Sequence, residues 1–214
     1  MQKKYDAILF DFDFTLADSL KGTVHCINHA LAKINVNSFM EKDFTSIMGY
    51  TIPDIFKHLT GIEDESILKN FLLHYKPYAD KVLADMTILN NDAIDILTYL
   101  KNKNYKLGIV STKHRYRINE VLNKYGIIEM IDIVIGQEDI QNRKPDPEGL
   151  QKAINYLSSR NNLYIGDHVV DAKASKAIGI DFVALLSGTS NKSEFENYSP
   201  LYVINSLYEL KGFL

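Results

Sequence analysis

Two aspartates spaced two residues apart, Asp11 and Asp13, close a short apolar segment near the start of the chain. Residues 5–11 are rich in strand-forming side chains, and alternate residues of a strand point to the same side. Two carboxylates held that close repel each other unless a cation or a shared proton offsets their charge. The pair therefore predicts a Mg²⁺ site, although a solvated loop before a helix capped by Ser19 is the alternative interpretation.

In the catalytic interpretation the two carboxylates have different tasks. Asp11 can act as a nucleophile and form an aspartyl-phosphate, while Asp13 exchanges a proton with the leaving and attacking oxygens. Thr15, two residues further on, can hydrogen-bond a phosphoryl oxygen. The pattern Asp-x-Asp alone is short and common, so the interpretation depends on polar segments further along the chain.

A hydroxyl-bearing segment follows the predicted strand at residues 106–110. It consists of Ser111, Thr112 and Lys113, and its hydroxyls and backbone N–H groups can hold a phosphoryl group. Such a segment is also typical of an ordinary helix start. Its position directly after an apolar strand is what favours phosphate binding.

Two charged segments follow the next two strands in the same way. Lys144 precedes Pro145 in a rigid turn, where it can serve as a fixed point charge. After the strand at residues 163–165, Gly166 allows a tight exit, and Asp167 and Asp171 lie within one helical turn of each other. Each segment alone is compatible with a surface turn or a capped helix, but their joint occurrence in this order favours a catalytic site.

The hydrophobic pattern places these segments in an α/β fold. It predicts strands at residues 5–11, 106–110, 131–135, 163–165, 182–185 and 202–204, and helices at residues 19–34, 92–101, 115–125, 147–157 and 170–178, with a closing helix after the last strand. Alternation of strands and helices implies a mostly parallel sheet with helices on both faces, whose ligands bind at the carboxyl ends of the strands.

A different pattern occupies residues 17–87. There only helical segments occur, broken at Gly49, Pro53, Gly61 and Pro77. We therefore predict a catalytic core at residues 1–16 and 88–214, interrupted at residues 17–87 by an all-helical insert that acts as a lid.

Charge and composition exclude several classes of partner. The chain has 214 residues and a net charge of -3, and its lysines and arginines form no patch for nucleic acid and no basic arm for a membrane surface. Its single cysteine, Cys26, cannot form an internal disulfide, and the helical pattern around it predicts a buried thiol. Without a signal-peptide pattern or a long apolar run, the expected location is the cytoplasm.

The ordered set of segments resembles the haloacid dehalogenase-like hydrolase superfamily over nearly the whole chain. Asp11 to Thr15 correspond to its first motif, Asp-x-Asp-x-Thr, and Ser111 corresponds to its second. Lys144 corresponds to the lysine of its third motif. The acidic fourth motif corresponds to Asp167 and Asp171.

The resemblance implies a Rossmann-like core with an inserted helical cap, as in phosphoglycolate phosphatase and beta-phosphoglucomutase. It implies that Mg²⁺ is held by the Asp11 carboxylate, the Asp13 backbone carbonyl and Asp167, with Asp171 acting through water or by orienting its neighbours. It also implies a cis peptide before Pro145. The expected activity is Mg²⁺-dependent hydrolysis of a small phosphorylated metabolite, with Lys144, Ser111 and Thr112 around the phosphoryl group.

This chain departs from the family pattern at two positions. Phe14 stands where the relatives often have glycine, and Thr112 stands where they often have asparagine. Neither change removes a charge that the chemistry requires. Phe14 lies near the junction with the insert, so it bears on how far the family's substrate preferences carry over.

Other activities remain open on the residues alone. A phosphosugar mutase needs the same residues as a phosphatase, and a signalling receiver also combines clustered aspartates, a hydroxyl and a lysine on a parallel sheet. A dehalogenase is disfavoured because it needs neither Asp13 nor a metal site. Phosphoglycolate is the leading substrate by resemblance, followed by pyrophosphate, sugar phosphates and nucleotide monophosphates.

Overall fold

The computed structural model describes residues 4–188 and 190–214. It divides the chain into two units. The core unit comprises Met1–Ala17 and Leu89–Leu214, and the insert unit comprises Asp18–Ile88. The chain leaves the core unit through the short strand β2 (Ala17–Asp18) and returns through β3 (Ile88–Leu89), and these two strands pair with each other.

Strands of the core unit form a parallel sheet. They are β1 (Ala7–Phe10), β4 (Lys106–Val110), β5 (Ile133–Ile135), β6 (Asn162–Gly166), β7 (Asp181–Leu185) and β8 (Tyr202–Ile204). Within the described residues the sheet has six strands in the order β5-β4-β1-β6-β7-β8, and all neighbouring pairs are parallel. The predicted α/β fold with a parallel sheet is thereby confirmed.

Helices connect these strands. They are α5 (Ala93–Asn102), α6 (Arg115–Lys124), α7 (Glu148–Leu157), α8 (Val169–Ile178) and the short α9 (Lys192–Phe195). On one face of the sheet Leu9 shares an apolar cluster with Leu150 of α7 and Ala172 of α8. Ile8 and Phe10, which strand alternation directs to the opposite face, are fully buried as well. Both faces of β1 are therefore covered, which explains its uninterrupted apolar sequence.

The insert unit is helical. Its helices are α1 (Leu20–Lys33), α2 (Glu41–Phe44), α3 (Ile52–Thr60) and α4 (Glu65–Met86). Helices α1 and α4 approach closely at Gly22, where an added Cβ would lie 2.9 Å from a methyl carbon of Leu83. Cys26 on α1 is buried, as predicted. The ring centroids of Phe56 and Phe71 lie 4.6 Å apart between α3 and α4.

Three of the four predicted helix breaks in the insert occur where expected, and one prediction is wrong. Gly49 lies in the turn between the 3₁₀ helix Thr45–Ile47 and α3. Gly61 ends α3 with a φ of 67°, and Pro53 lies in the first turn of that helix. Pro77, however, lies inside α4 and does not interrupt it. The carbonyl that loses its helical bond to a proline belongs to the residue four positions earlier. Here that residue is Leu73, which is 72% exposed, so water can satisfy the carbonyl.

Helix boundaries differ from the prediction at two other places. Ser19 precedes α1 but makes no capping hydrogen bond with its side chain. The carboxylate of Asp18 accepts from the backbone N–H of Leu20 instead, at 2.8 Å. The predicted closing helix is present at Leu207–Gly212, and it is a 3₁₀ helix. In the described part of the chain, no helix combines the length and the apolar character needed to cross a bilayer.

Candidate active site

Strand register aligns the ends of three neighbouring strands. Phe10 at the end of β1 pairs with Ile109 of β4 on one side and with Ile165 of β6 on the other. The backbone N–H of Asp11 continues this ladder and donates to the carbonyl of Ile165 at 2.9 Å. Residues that follow these strands therefore meet at one edge of the sheet, as the parallel arrangement predicts.

Three buried carboxylates meet at this edge and form what we call the carboxylate cluster. They belong to Asp11, Asp167 and Asp171, and one oxygen from each lies within 4.8 Å of the others. All three side chains are buried. Gly166 makes room for Asp171, because a Cβ at residue 166 would lie 2.6 Å from the carboxylate carbon of that residue.

Lys144 supplies the positive charge inside the cluster. Its Nζ lies 2.7 Å from Oδ1 of Asp11 and 2.6 Å from Oδ1 of Asp171. The same nitrogen lies 3.1 Å from the hydroxyl of Tyr164 and 3.3 Å from the carbonyl oxygen of Val110. The peptide between Lys144 and the following proline is cis, as the family resemblance implies.

Burial and the close opposite charges together set the pKa values of these groups. Burial raises the pKa of the Asp11 carboxyl to about 7, against the opposing effect of Lys144. Burial and the nearby Asp11 also raise the pKa of Asp167 well above its ordinary value. For Lys144, burial acts to lower the pKa, but Asp11 and Asp171 outweigh it and hold the pKa above its usual range. The ammonium form of Lys144 is therefore stabilised by its neighbours.

The donor set of the cluster fits a divalent cation. Carboxylate oxygens are the ligands that Mg²⁺ prefers, and among the described residues Lys144 pairs with two of the three carboxylates, those of Asp11 and Asp171. Bringing a cation to this point relieves the repulsion that burial intensifies. Asp13 was predicted to contribute its backbone carbonyl, and its side chain lies outside the carboxylate cluster.

The carboxylate of Asp13 is held by a lysine. Both of its oxygens lie 2.9 Å from Nζ of Lys113. Only 10% of the Lys113 side chain and 17% of the Asp13 side chain are exposed. Sequence reasoning singled out the segment that contains Lys113 for its hydroxyls and N–H groups, and it missed this ion pair.

The predicted phosphate-binding residues lie at the same edge of the sheet. Thr15 is fully buried, and its hydroxyl donates to Oδ1 of Asp167 at 3.1 Å. Ser111 follows β4, and its Oγ accepts from the backbone N–H of Lys113 at 3.3 Å. Thr112, between these two residues, is half-buried. In this structure the hydroxyl of Thr15 thus orients a carboxylate of the cluster.

Two further residues shape the site and were not predicted. The hydroxyl of Tyr164 lies 3.0 Å from Oδ1 of Asp171, and burial raises the pKa of this phenol well above its usual value. Gly188 approaches Asp167 so closely that a Cβ would lie 1.8 Å from Oδ2 of that carboxylate. A tyrosine inside the apolar strand β6 is the one signal that could have indicated such a contact, because a buried hydroxyl needs a partner.

Comparison with known proteins gives relatives over almost the whole chain. The pyrophosphatase PpaX of Bacillus mycoides is 25% identical over 209 residues, which cover 97% of this chain and 95% of the relative. A phosphoglycolate phosphatase of Cereibacter sphaeroides is 27% identical over 192 residues, which cover 85% of each chain.

Solved structures share the fold. A protein of Bacteroides fragilis described as a haloacid dehalogenase-like hydrolase matches with a TM-score of 0.89 and 38% identity, over 96% of this chain and 99% of the other. A predicted phosphoglycolate phosphatase of Haemophilus somnus has the same fold, with a TM-score of 0.89 and 21% identity over 99% of each chain. The family model described as haloacid dehalogenase-like hydrolase matches residues 8–185. This chain therefore belongs to the haloacid dehalogenase-like hydrolase family.

Proposed function

We propose that this hydrolase is a Mg²⁺-dependent phosphatase that cleaves small phosphomonoesters through an aspartyl-phosphate on Asp11. The observation that carries the proposal is the buried carboxylate cluster around Lys144, next to the Asp13–Lys113 pair at the same strand edge. Asp11 and Asp167 would hold the metal together with the backbone carbonyl of Asp13, and Asp171 would orient its neighbours. When bound, Mg²⁺ would offset the negative charge of the phosphoryl oxygens.

In the first half-reaction, a carboxylate oxygen of Asp11 attacks phosphorus in line with the leaving oxygen. The bond from Asp11 to phosphorus forms while the bond from phosphorus to the leaving oxygen breaks. Asp13 acts in its protonated form: it gives its proton to that oxygen and becomes the carboxylate that pairs with Lys113, so an alcohol leaves. Lys144, Ser111 and the backbone N–H groups after β4 offset negative charge on the phosphoryl oxygens.

In the second half-reaction, Asp13 acts as a base. It accepts a proton from a water molecule whose oxygen attacks phosphorus, and the bond from phosphorus to Asp11 breaks. Inorganic phosphate leaves, and both carboxyl groups return to their starting protonation states. Thr15 takes the role of a positioning residue in this proposal, because its hydroxyl donates to Asp167.

The helical insert unit is proposed to be the cap that the family resemblance implies. Support comes from its position in the chain, directly after the segment that holds Asp11 and Asp13. Phosphoglycolate is the leading monoester substrate. Pyrophosphate is a phosphoanhydride, from which phosphate leaves in place of an alcohol, and it is the other leading substrate, because relatives named for these two activities match 85% and 97% of this chain.

The decisive experiment measures phosphate release from a panel of phosphomonoesters and pyrophosphate, with Mg²⁺ and with EDTA. We expect metal-dependent release by the wild type. Asp11→Asn should lower the rate at least about a thousandfold, because it removes the nucleophile. Asp13→Asn should lower it at least about a hundredfold, the usual size of an acid-base contribution.

Asp95→Asn is the matched control, because Asp95 pairs with Lys211 on an exposed surface away from the cluster. It should retain wild-type rates. Undiminished turnover in Asp11→Asn contradicts the nucleophile assignment. Absence of release from every substrate by the wild type contradicts the phosphatase itself.

A further inference from the structure

Lys113 is a buried cation next to the proposed proton donor. Its Nζ lies 2.9 Å from each carboxylate oxygen of Asp13, and it also lies 5.8 Å from the ring centroid of the fully buried Phe12. Lysine side chains are rarely this buried unless their charge has a use or a fixed partner. The ion pair is thus built into the strand edge and is not a mobile surface contact.

The backbone around Lys113 is fixed as well. Its N–H donates to the hydroxyl of Ser111 at 3.3 Å, and its carbonyl accepts from the backbone N–H of Gln137 at 3.1 Å. These bonds tie the residue to the segments that follow β4 and β5. The lysine stem therefore starts from a rigid point, which lowers the entropic cost of holding its ammonium group in place.

The geometry gives this ammonium group access to the leaving group. A proton donor must come within hydrogen-bond distance of the leaving oxygen, about 2.6–3.2 Å. Since Nζ of Lys113 lies 2.9 Å from each oxygen of Asp13, a leaving oxygen that is hydrogen-bonded to Asp13 lies within about 6 Å of Nζ. An anionic group one or two covalent bonds beyond that oxygen, on the side of Lys113, can therefore reach the ammonium group. An ammonium group has three N–H donors and can divide them between Asp13 and a substrate anion.

We propose that Lys113 determines specificity by binding a second anionic group on the leaving-group side of the substrate. The inference rests on the proposed phosphatase function. The substrate class is a phosphate ester or anhydride whose leaving group carries a carboxylate or phosphate next to the leaving oxygen. Phosphoglycolate and pyrophosphate both belong to this class, whereas a phosphate ester of a neutral alcohol does not.

A matched pair of substrates tests the proposal. 2-Phosphoglycolate and 2-hydroxyethyl phosphate share the phosphoryl group and a primary alkoxide leaving group, and they differ in the carboxylate. For the wild type we expect kcat/KM to favour phosphoglycolate by about tenfold or more, the size expected for one charge-assisted hydrogen bond. Lys113→Met should bring the ratio to within about twofold of unity through a higher KM for phosphoglycolate.

The ratio separates this role from a structural one. Removing Lys113 also deprives Asp13 of its partner, but Asp13 serves both substrates alike, so that effect cancels in the ratio. Lys113→Arg, which keeps the charge, should retain most of the preference. Lys101→Met is the matched control, because Lys101 makes an equivalent two-oxygen pair with Asp132 at 3.0 Å outside the site.

Binding measurements keep the proposal testable in variants that do not turn over. By calorimetry, the wild type should bind 3-phosphonopropionate about tenfold more tightly than propylphosphonate, and Lys113→Met should lose that difference. An unchanged preference in Lys113→Met, or no preference in the wild type, overturns the proposed role of Lys113. In that case, hydrolysis of 2-hydroxyethyl phosphate still supports the phosphatase proposal. If no ester is hydrolysed, the phosphatase proposal fails, and the two phosphonates still decide whether Lys113 selects the second anion.

Discussion

The Nζ atom of Lys144 lies 2.6 Å from Oδ1 of Asp171, and only 6% and 1% of the two side chains are exposed. A buried ion pair does not by itself stabilise a fold, because both charges lose their hydration. Its partners nevertheless depend on each other, since removal of one leaves an uncompensated charge in the interior. The pair thus couples the integrity of the site to the stability of the core unit.

Lys144→Met should therefore lower the free energy of unfolding by about 3–5 kcal/mol in the absence of metal. Urea unfolding in EDTA measures this change. The control is Lys101→Met, which breaks an exposed pair with Asp132 and should cost less than about 1 kcal/mol. Equal and small effects in both variants contradict the buried-charge argument.

Addition of Mg²⁺ should stabilise the wild type against urea. A ligand that binds only the folded state at a hundred times its Kd adds about 2.7 kcal/mol. Asp167→Asn removes one carboxylate of the cluster and should abolish most of this increment, whereas the surface variant Asp95→Asn should keep it. The same increment in wild type and Asp167→Asn assigns the metal to other ligands.

Gly188→Ala should lower the activity of the enzyme without unfolding it. The added Cβ would lie 1.8 Å from Oδ2 of Asp167, so the carboxylate must leave its position in the cluster. We expect Mg²⁺ affinity or kcat to fall about tenfold to a hundredfold, as when a metal ligand loses its support. Gly212→Ala is the control, because nothing lies within 4 Å of its added Cβ. Full activity in Gly188→Ala contradicts the importance of this close approach.

Tyr164→Phe removes a hydroxyl that lies 3.1 Å from Lys144 and 3.0 Å from Asp171. We expect the free energy of unfolding to fall by about 1–3 kcal/mol. Mg²⁺ affinity or activity should fall roughly tenfold to a hundredfold. Tyr5→Phe is the matched control, since Tyr5 is also a buried tyrosine whose hydroxyl donates to a carboxylate. Its partner is Oδ2 of Asp181, at 2.6 Å, and this pair does not belong to the carboxylate cluster. Tyr5→Phe should lose stability and keep its kinetics. Identical kinetic behaviour of the two variants makes Tyr164 merely structural.

The fold could be predicted because its signals are local. Each strand of a covered parallel sheet is a short apolar run, as in β1, and polar residues directly after such runs must lie at one edge. Asp11 and Asp167 were predicted in this way, and Lys144 was predicted from its place shortly after β5. The 3₁₀ geometry of Leu207–Gly212 was not, because in a six-residue helix the sequence pattern does not distinguish i→i+3 from i→i+4 hydrogen bonds.

The contacts inside the site were harder to predict because they depend on side-chain direction across long separations. Lys113 and Asp13 are 100 residues apart, and their pairing requires the register of two strands and two loops. In the sequence, Tyr164 cannot be distinguished from the apolar residues of its strand, and only the structure shows that its hydroxyl contacts Lys144. The break predicted at Pro77 is wrong because the local sequence does not reveal that Leu73, four positions earlier, is exposed to water.

Phe14 has a φ of 60°, in the left-handed region that favours glycine. The family resemblance expects glycine at this position, so the departure carries a backbone cost of about 1–2 kcal/mol. Its carbonyl is nevertheless held, because it accepts hydrogen bonds from Asn90 and Ser187. The hydrogen bonds of the surrounding fold therefore hold this backbone conformation, which the side chain of Phe14 does not favour.

Phe14→Gly should consequently be more stable than Phe14→Ala by about 1 kcal/mol, although both variants lose the same ring contacts. Urea unfolding of the two variants measures the difference. Lys69, which is exposed inside α4, provides the control pair, since there glycine should be less stable than alanine by about 1 kcal/mol. The opposite signs at the two positions isolate the backbone contribution from the loss of a side chain. Equal stabilities at residue 14 contradict a strained backbone and leave side-chain packing as the reason for phenylalanine.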